Sequence, residues 1–322
     1  MMTDENSAFL AALDEQLRYT DEDGVVLQVA LFATVYIEDT YKREVRQAIG
    51  ACCDDYFRRC GQQLRWALDP DEDHMERFGE GKGSRPGAWL PELGEDEGFS
   101  LNYHSGTWHL GAAAFSLEAH GFPRRPFTEL GYLRFSFPVL SLAEHPGALP
   151  EMLLDFCRRL KPVSGYGGIG MNDCADYGLA ARYEPIEYEV AQRFPGFEAE
   201  STSGHGIWLG KGDGIKGANW LTVVGDRFLA RLGGADAVQA ALVALDSRFL
   251  VHRFDGGVMI QAGPRPELGD AAQDEYPVLY VKLAKYLRPI RVTTAGSMHF
   301  RGTGERFDKE RSNAWLRRFD DR

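Results

Sequence analysis

Apolar positions recur along this chain with two periods, and the periods alternate. Residues 25–37, VVLQVALFATVYI, are a long run of β-branched and aromatic residues and predict a strand. Over 41–68 the spacing changes to three and four. Val45, Ile49, Cys52, Tyr56, Cys60 and Leu64 would share one face of a helix. Residues 107–119 and 131–140 return to strand-like patterns. In the second, Tyr132, Arg134 and Ser136 alternate with Leu133, Phe135 and Phe137, as in a half-buried strand. Leu149, Leu153, Phe156 and Leu160 restore helical spacing over 146–160, and Pro162 stops it. VSGYGGIGM (163–171) then reads as a glycine-rich strand.

The order over 25–171 is β-α-β-β-α-β, that of a ferredoxin-like unit. The second half repeats it. Residues 220–231 are strand-like, 235–245 helical, and 249–254 and 258–262 are short strands joined at "DGG", a hairpin signal. Helical spacing follows at 276–287, and 290–300 can form a last strand. An amphipathic helix is expected at 3–18, one near 186–194 in the connector 176–200, and one over 308–319, capped by Asp308. The expected fold is therefore α+β. It has two βαββαβ halves, 1–172 and 173–322, with mostly antiparallel sheets and helices packed on one face.

One stretch breaks the pattern. Residues 69–98 are rich in Pro, Gly and acid, and predict a long loop. From Asp69 to Glu97 there are ten acids and three bases, a net of −7 within a chain total of −12. A surface this acidic repels phosphate backbones, so it disfavours direct nucleic-acid binding and suits a basic partner. The five cysteines (Cys52, Cys53, Cys60, Cys157, Cys174) form no C-x-x-C pair and read as buried thiols of a reducing compartment. The acidic N-terminus lacks the features of a secretory signal, and the 13-residue apolar run at 25–37 is too short to span a bilayer. A cytoplasmic protein without membrane contact is expected.

Candidate chemistry is sparse. Gly212-Asp213-Gly214-Ile215-Lys216-Gly217 matches G-x-G-x-x-G, but the bulky, β-branched residues of "ANWLTVV" follow it. A dinucleotide fingerprint needs a helix there, opening on the pyrophosphate, so the glycines read as a turn entering a strand. In that turn Asn219 would satisfy backbone groups and Trp220 would anchor the core. The eight histidines make no H-E-x-x-H or H-x-E pattern. "DPDEDH" (69–74) lacks the glycine and distal glutamate of a calcium loop. No G-x-S-x-G elbow occurs, and neither "CCDDY" nor "CADYG" matches a cysteine-nucleophile context. The run 301–319 carries six bases and three acids, and its intervening acids favour local ion pairs over phosphate contact. No catalytic residue, metal site or cofactor is expected. What remains is an interaction surface.

Four stretches together, "RFSFP" (134–138), "SGYGGIG" (164–170), "GIKGANWLT" (214–222) and "RGTGERFDKERSNAWLRRF" (301–319), resemble a bacterial immunity family of type VI secretion systems. The family is associated with VRR-NUC and related nuclease effectors. The resemblance spans about 25–320. Its most specific positions are Gly214, Gly217, Asn219 and Trp220, and Gly302, Gly304, Arg306 and Asp308, read as structural. It implies an antitoxin-like protein that binds a cognate nuclease and blocks its active site, with no chemistry of its own. A nuclease cleft must be basic to hold DNA, which matches the acidic stretch. Asp71, Glu72, Asp73, Glu95, Asp96 and Glu97 are the expected partner-binding residues. Two other readings are a small-molecule pocket or enzyme site near 164–170 and 214–220, and an adaptor that loads an effector onto the secretion apparatus.

Overall fold

A computed structural model describes residues 4–125, 129–300 and 302–322. In chain order the strands are β1 (Arg18–Thr20), β2 (Val25–Ile37), β3 (Trp66–Leu68), β4 (Met75–Arg77), β5 (Phe99–His104), β6 (Ser116–Gly121), β7 (Gly131–Phe137), β8 (Ser164–Asp173), β9 (Leu221–Gly225), β10 (Phe249–Phe254) and β11 (Gly257–Ala262). The helices are α1 (Asp4–Gln16), α2 (Arg43–Cys60), α3 (Pro86–Trp89), α4 (Ser141–Glu144), α5 (Ala148–Leu160), α6 (Tyr177–Ala180), α7 (Glu184–Arg193), α8 (Thr202–Lys211), α9 (Asp226–Leu229), α10 (Ala235–Leu245), α11 (Val278–Leu287) and α12 (Lys309–Leu316).

All strands join one antiparallel sheet, ordered β10-β11-β9-β8-β2-β7-β6-β5-β3-β4, with β1 against the start of β2. β2 is the axis, flanked by β7 and β8. Its near-continuous apolar sequence follows from burial on both faces, where polar alternation would cost desolvation. On one face Phe135 of β7 packs its ring 6.3 Å from Tyr56 of α2 and 4.9 Å from Phe156 of α5. Tyr36 and Tyr166 point the other way with their hydroxyls 3.1 Å apart, and Tyr166 meets His205 of α8. Helices therefore cover both faces, not one. This is also why β7 is buried throughout rather than half-buried: its polar face lies beneath α8.

The two halves do not close separately. β9 pairs with β8 on one side and β11 on the other, so no edge beside β9 is open to a further strand. Residues 290–300 form no strand, and only Arg291 makes an isolated bridge, to Ile215. β9 also stops at Gly225, where a helical turn begins.

Within the first half, the helix expected over 41–68 ends at Cys60, because 66–68 leave to pair with β5. The strand expected from 107 begins only at Ser116. Residues 69–98 are more ordered than the predicted loop. β4 pairs with β3 at the end of the sheet, and Trp89 and Leu90 are buried where α3 packs on α2. Gly50 permits that packing: a Cβ there would lie 2.8 Å from the Gly87 Cα. Acidic side chains thus project from a framed edge.

Candidate functional site

The strand register builds a polar row across the covered face. Asn102, Glu118, Arg134, Thr34, Tyr166 and Thr222 lie directly opposite one another on successive strands from β5 to β9. Side chains opposed in this way touch, so the row is a continuous polar layer inside the protein. The connector lowers acids onto it. Residue 198 reaches the sheet beside Gly170, where a Cβ would lie 2.5 Å from the Glu198 carbonyl oxygen and 2.3 Å from Phe32. The glycine strand is therefore a channel for this approach.

Two buried acids follow. Glu198 pairs with Lys216, accepts a hydrogen bond from Asn219 Nδ2, and lies 3.6 Å from Arg318. Burial pushes its carboxyl up, and the Lys216 and Arg318 charges oppose that. Glu200 accepts from Thr34 Oγ1 (2.9 Å), Tyr36 Oη (3.2 Å) and Tyr166 Oη (2.5 Å), with His205 Nδ1 at 2.9 Å. Burial opposes its ionisation, but the His205 hydrogen bond and the Lys216, His205 and Arg134 charges hold it below the usual carboxylate range. Burial, then Lys216, push His205 down to about 4. A carboxylate beside a neutral imidazole is the state near pH 7. Every donor around Glu200 is already committed, so it serves as a structural tie.

Beside this layer opens a cavity of about 580 Å³, whose walls include Asn102, Glu118, Arg134, Asn172, Asp173 and Glu187. Arg134 lies 4.4 Å over the Phe32 ring, donates to the Met171 carbonyl at 2.9 Å, and is 3.9 Å from Glu118. Glu187 is 2.7 Å from His299 Nε2. Burial, then Glu118 and Glu187, push Asp173 up to about 7, against the pull of Arg134. The Asp173 side chain faces solvent through the cavity, which screens part of this effect.

The linkage has a definite sign. An acid that binds its proton more tightly when folded contributes most at low pH, and that contribution falls as pH rises from 3.8 to about 7. Asp173→Asn should therefore raise the thermal midpoint at pH 8 by more than at pH 5. A gain that is equal or larger at pH 5 would show that the carboxylate is not strained by its neighbours.

The residues singled out in the sequence fall into separate places. Asp71, Glu72, Asp73, Glu95, Asp96 and Glu97 are all exposed at the β3–β4–β5 end of the sheet. Asp71 pairs with Lys82 at 2.6 Å, Glu95 with Arg124 at 2.9 Å, and Glu97 accepts from the Gly94 amide at 2.6 Å. Gly214, Asn219 and Trp220 lie inside, and Gly217 is half-buried. A Cβ on Gly214 would sit 2.5 Å from the Val292 nitrogen, and Gly217 has φ +148°. Asn219 Oδ1 accepts from the Trp220 amide at 2.7 Å, and Trp220 Nε1 donates to the Gly263 carbonyl at 3.0 Å.

In the tail, the Gly302 amide donates to Glu184 at 2.5 Å, Gly304 has φ +94°, the Arg306 Nε is buried without a hydrogen-bond partner among the described residues, and Asp308 caps α12 through the Arg311 amide at 2.9 Å. The four quoted stretches converge on the polar layer. Arg134 and Tyr166 stand in the row, Lys216 and Asn219 hold Glu198, and Arg318 approaches it from the tail. Asn219, Trp220 and most of β8 are packed into the interior, and the cavity lies instead by the Met171–Asp173 end of β8. Glu198, Glu200, Glu187 and His205 carry no motif. Their sequence neighbours give no sign that the connector folds inward.

A family model, TsiV, described as type VI immunity for VRR-NUC, matches residues 48–319. The solved structure titled Pseudomonas aeruginosa T6SS protein PA0821 is similar, with a TM-score of 0.86 and 27% identity, over 98% of this chain and 90% of that one. A comparison with curated proteins found no match. The family match runs from within α2 past α12 and takes in the sheet and the polar layer; the protein belongs to the TsiV family of type VI immunity proteins.

Proposed function

We propose that this immunity protein binds a VRR-NUC-type nuclease effector through its acidic edge and covers the effector's active site, acting in the cytoplasm and performing no chemistry itself. The observation that carries the reading is the framed edge at the end of the sheet. Its six named carboxylates are exposed, and they belong to the stretch that holds more than half of the chain's excess negative charge. A cleft that holds DNA is positive, so an acidic edge both steers toward it and competes with its substrate. An ordered frame adds specificity, because less loop entropy is lost on docking.

Reversing the six acids (Asp71, Glu72, Asp73, Glu95, Asp96 and Glu97 to Lys) should slow association with the effector by about tenfold or more at low salt and flatten its salt dependence. The measurement is stopped-flow or surface plasmon resonance at two ionic strengths. An unchanged on-rate at low salt would remove the edge from the interface.

A further inference from the structure

The cavity beside the polar layer is not explained by immunity through the acidic edge, and its chemistry is uneven. Acceptors are in excess. Among the described residues, no other residue donates a hydrogen bond to the Asp173 carboxylate, and Glu118 has only Arg134, at 3.9 Å. Asn172 is 3% exposed and lines the same cavity, and its Oδ1 has no hydrogen-bond partner. The orientation of that amide is settled by chemistry. Asn172 Nδ2 lies 2.6 Å from the Ala113 carbonyl, which can only accept, so the unpartnered atom is an acceptor oxygen. A buried acceptor left without a donor costs about 1–3 kcal/mol.

The charges agree. Among the described residues of the cavity wall, Arg134 is the one guanidinium, set against Glu118, Asp173, Glu187 and Glu200, and it is already engaged by Phe32 and the Met171 carbonyl. Among the described residues, no three His, Cys, Asp or Glu side chains stand close enough to hold a metal ion. Leu27, Met171 and Phe300 supply apolar wall for a carbon stem, and about 580 Å³ is within the usual size of a small-ligand pocket.

We infer that this cavity binds a donor-rich organic cation, an alkylguanidinium or alkylammonium group, whose N–H groups are taken by Glu118 and Asp173. The group can come from a free metabolite or from a basic side chain of a protein partner. The inference does not rest on the acidic edge being the nuclease interface.

The test is calorimetric titration of the full chain at pH 8 with agmatine, and with pentylurea as an uncharged control. Saturable binding of agmatine and none of pentylurea is expected. Asp173→Asn and Glu118→Gln should each weaken agmatine by about tenfold, the loss of one charge-assisted hydrogen bond. Asp173→Asn is expected to fold at least as well as the parent, which keeps the variant informative, and circular dichroism would verify both. The same titration on the purified effector complex separates the sources. Displacement of the effector by agmatine identifies a partner side chain, and agmatine binding to the intact complex identifies a free cation. No saturable binding up to about 10 mM agmatine, or equal binding by pentylurea, overturns the inference.

Discussion

Lys216→Met should destabilise the protein by about 3–5 kcal/mol, a loss of roughly 10 °C in thermal midpoint. Lys216 is 5% exposed. Its ammonium pairs with Glu198, donates to the Ala199 carbonyl at 2.6 Å, and lies 4.3 Å over the Tyr166 ring and 5.4 Å over the Trp315 ring. Methionine fills most of the volume, so packing changes little and the electrostatic loss dominates. Glu198 would keep only Asn219 and a distant Arg318. Burial already raises its carboxyl, and without Lys216 it would rise further and take up a proton. The deficit should therefore shrink as pH falls. The double variant Lys216→Met, Glu198→Gln should recover much of the loss, because a neutral amide needs no counter-charge. Denaturant unfolding of the single and double variants closes the cycle. A single-variant loss below about 1 kcal/mol, or no recovery in the double, would mean that the pair does not hold the layer together.

Arg46→Ala should cost about 3 kcal/mol or more and should also loosen the acidic edge. Arg46 is fully buried on α2, where its guanidinium donates to four backbone carbonyls: Thr40 (3.1 Å), Leu93 (2.6 Å), Gly94 (3.0 Å) and Glu97 (2.5 Å). Removing it strands those acceptors at about 1–3 kcal/mol for each one that water does not reach, and leaves a cavity. Three of the four belong to 93–97, the segment that carries Glu95, Asp96 and Glu97. Hydrogen exchange should rise there before the sheet opens. Lys at this position keeps the charge but not the fork of donors, so Arg46→Lys should recover only part of the loss. Exchange at 93–97 unchanged in Arg46→Ala would show that the edge is framed by α3 alone.

What could be read from the sequence follows a physical divide. β2, α2, α5 and the β10–β11 hairpin were legible because their signals are local: apolar periodicity and a two-residue Asp-Gly turn. The end of β9 and the irregular path of 290–300 were not, since they depend on β8 already occupying the edge of β9. The alternation of β7 is legible, but nothing in its sequence shows that α8 covers its polar side. The site followed the same rule. The glycines near 214–217 and at 164–170 could be found by eye, while Glu198, for which Gly170 makes room, and the other acids of the site, 187, 200, 118 and 173, could not. Strand register places 118 and 173, and the inward path of the connector places 187, 198 and 200.

We propose that this protein protects by occupying its effector's active site. The most direct measurement combines the purified protein with its cognate nuclease and follows DNA cleavage as the ratio of the two is raised. Cleavage should fall linearly and stop at a stoichiometric complex, and excess DNA should slow formation of that complex. A stable complex that still cleaves DNA at the free rate would rule out occupation of the active site.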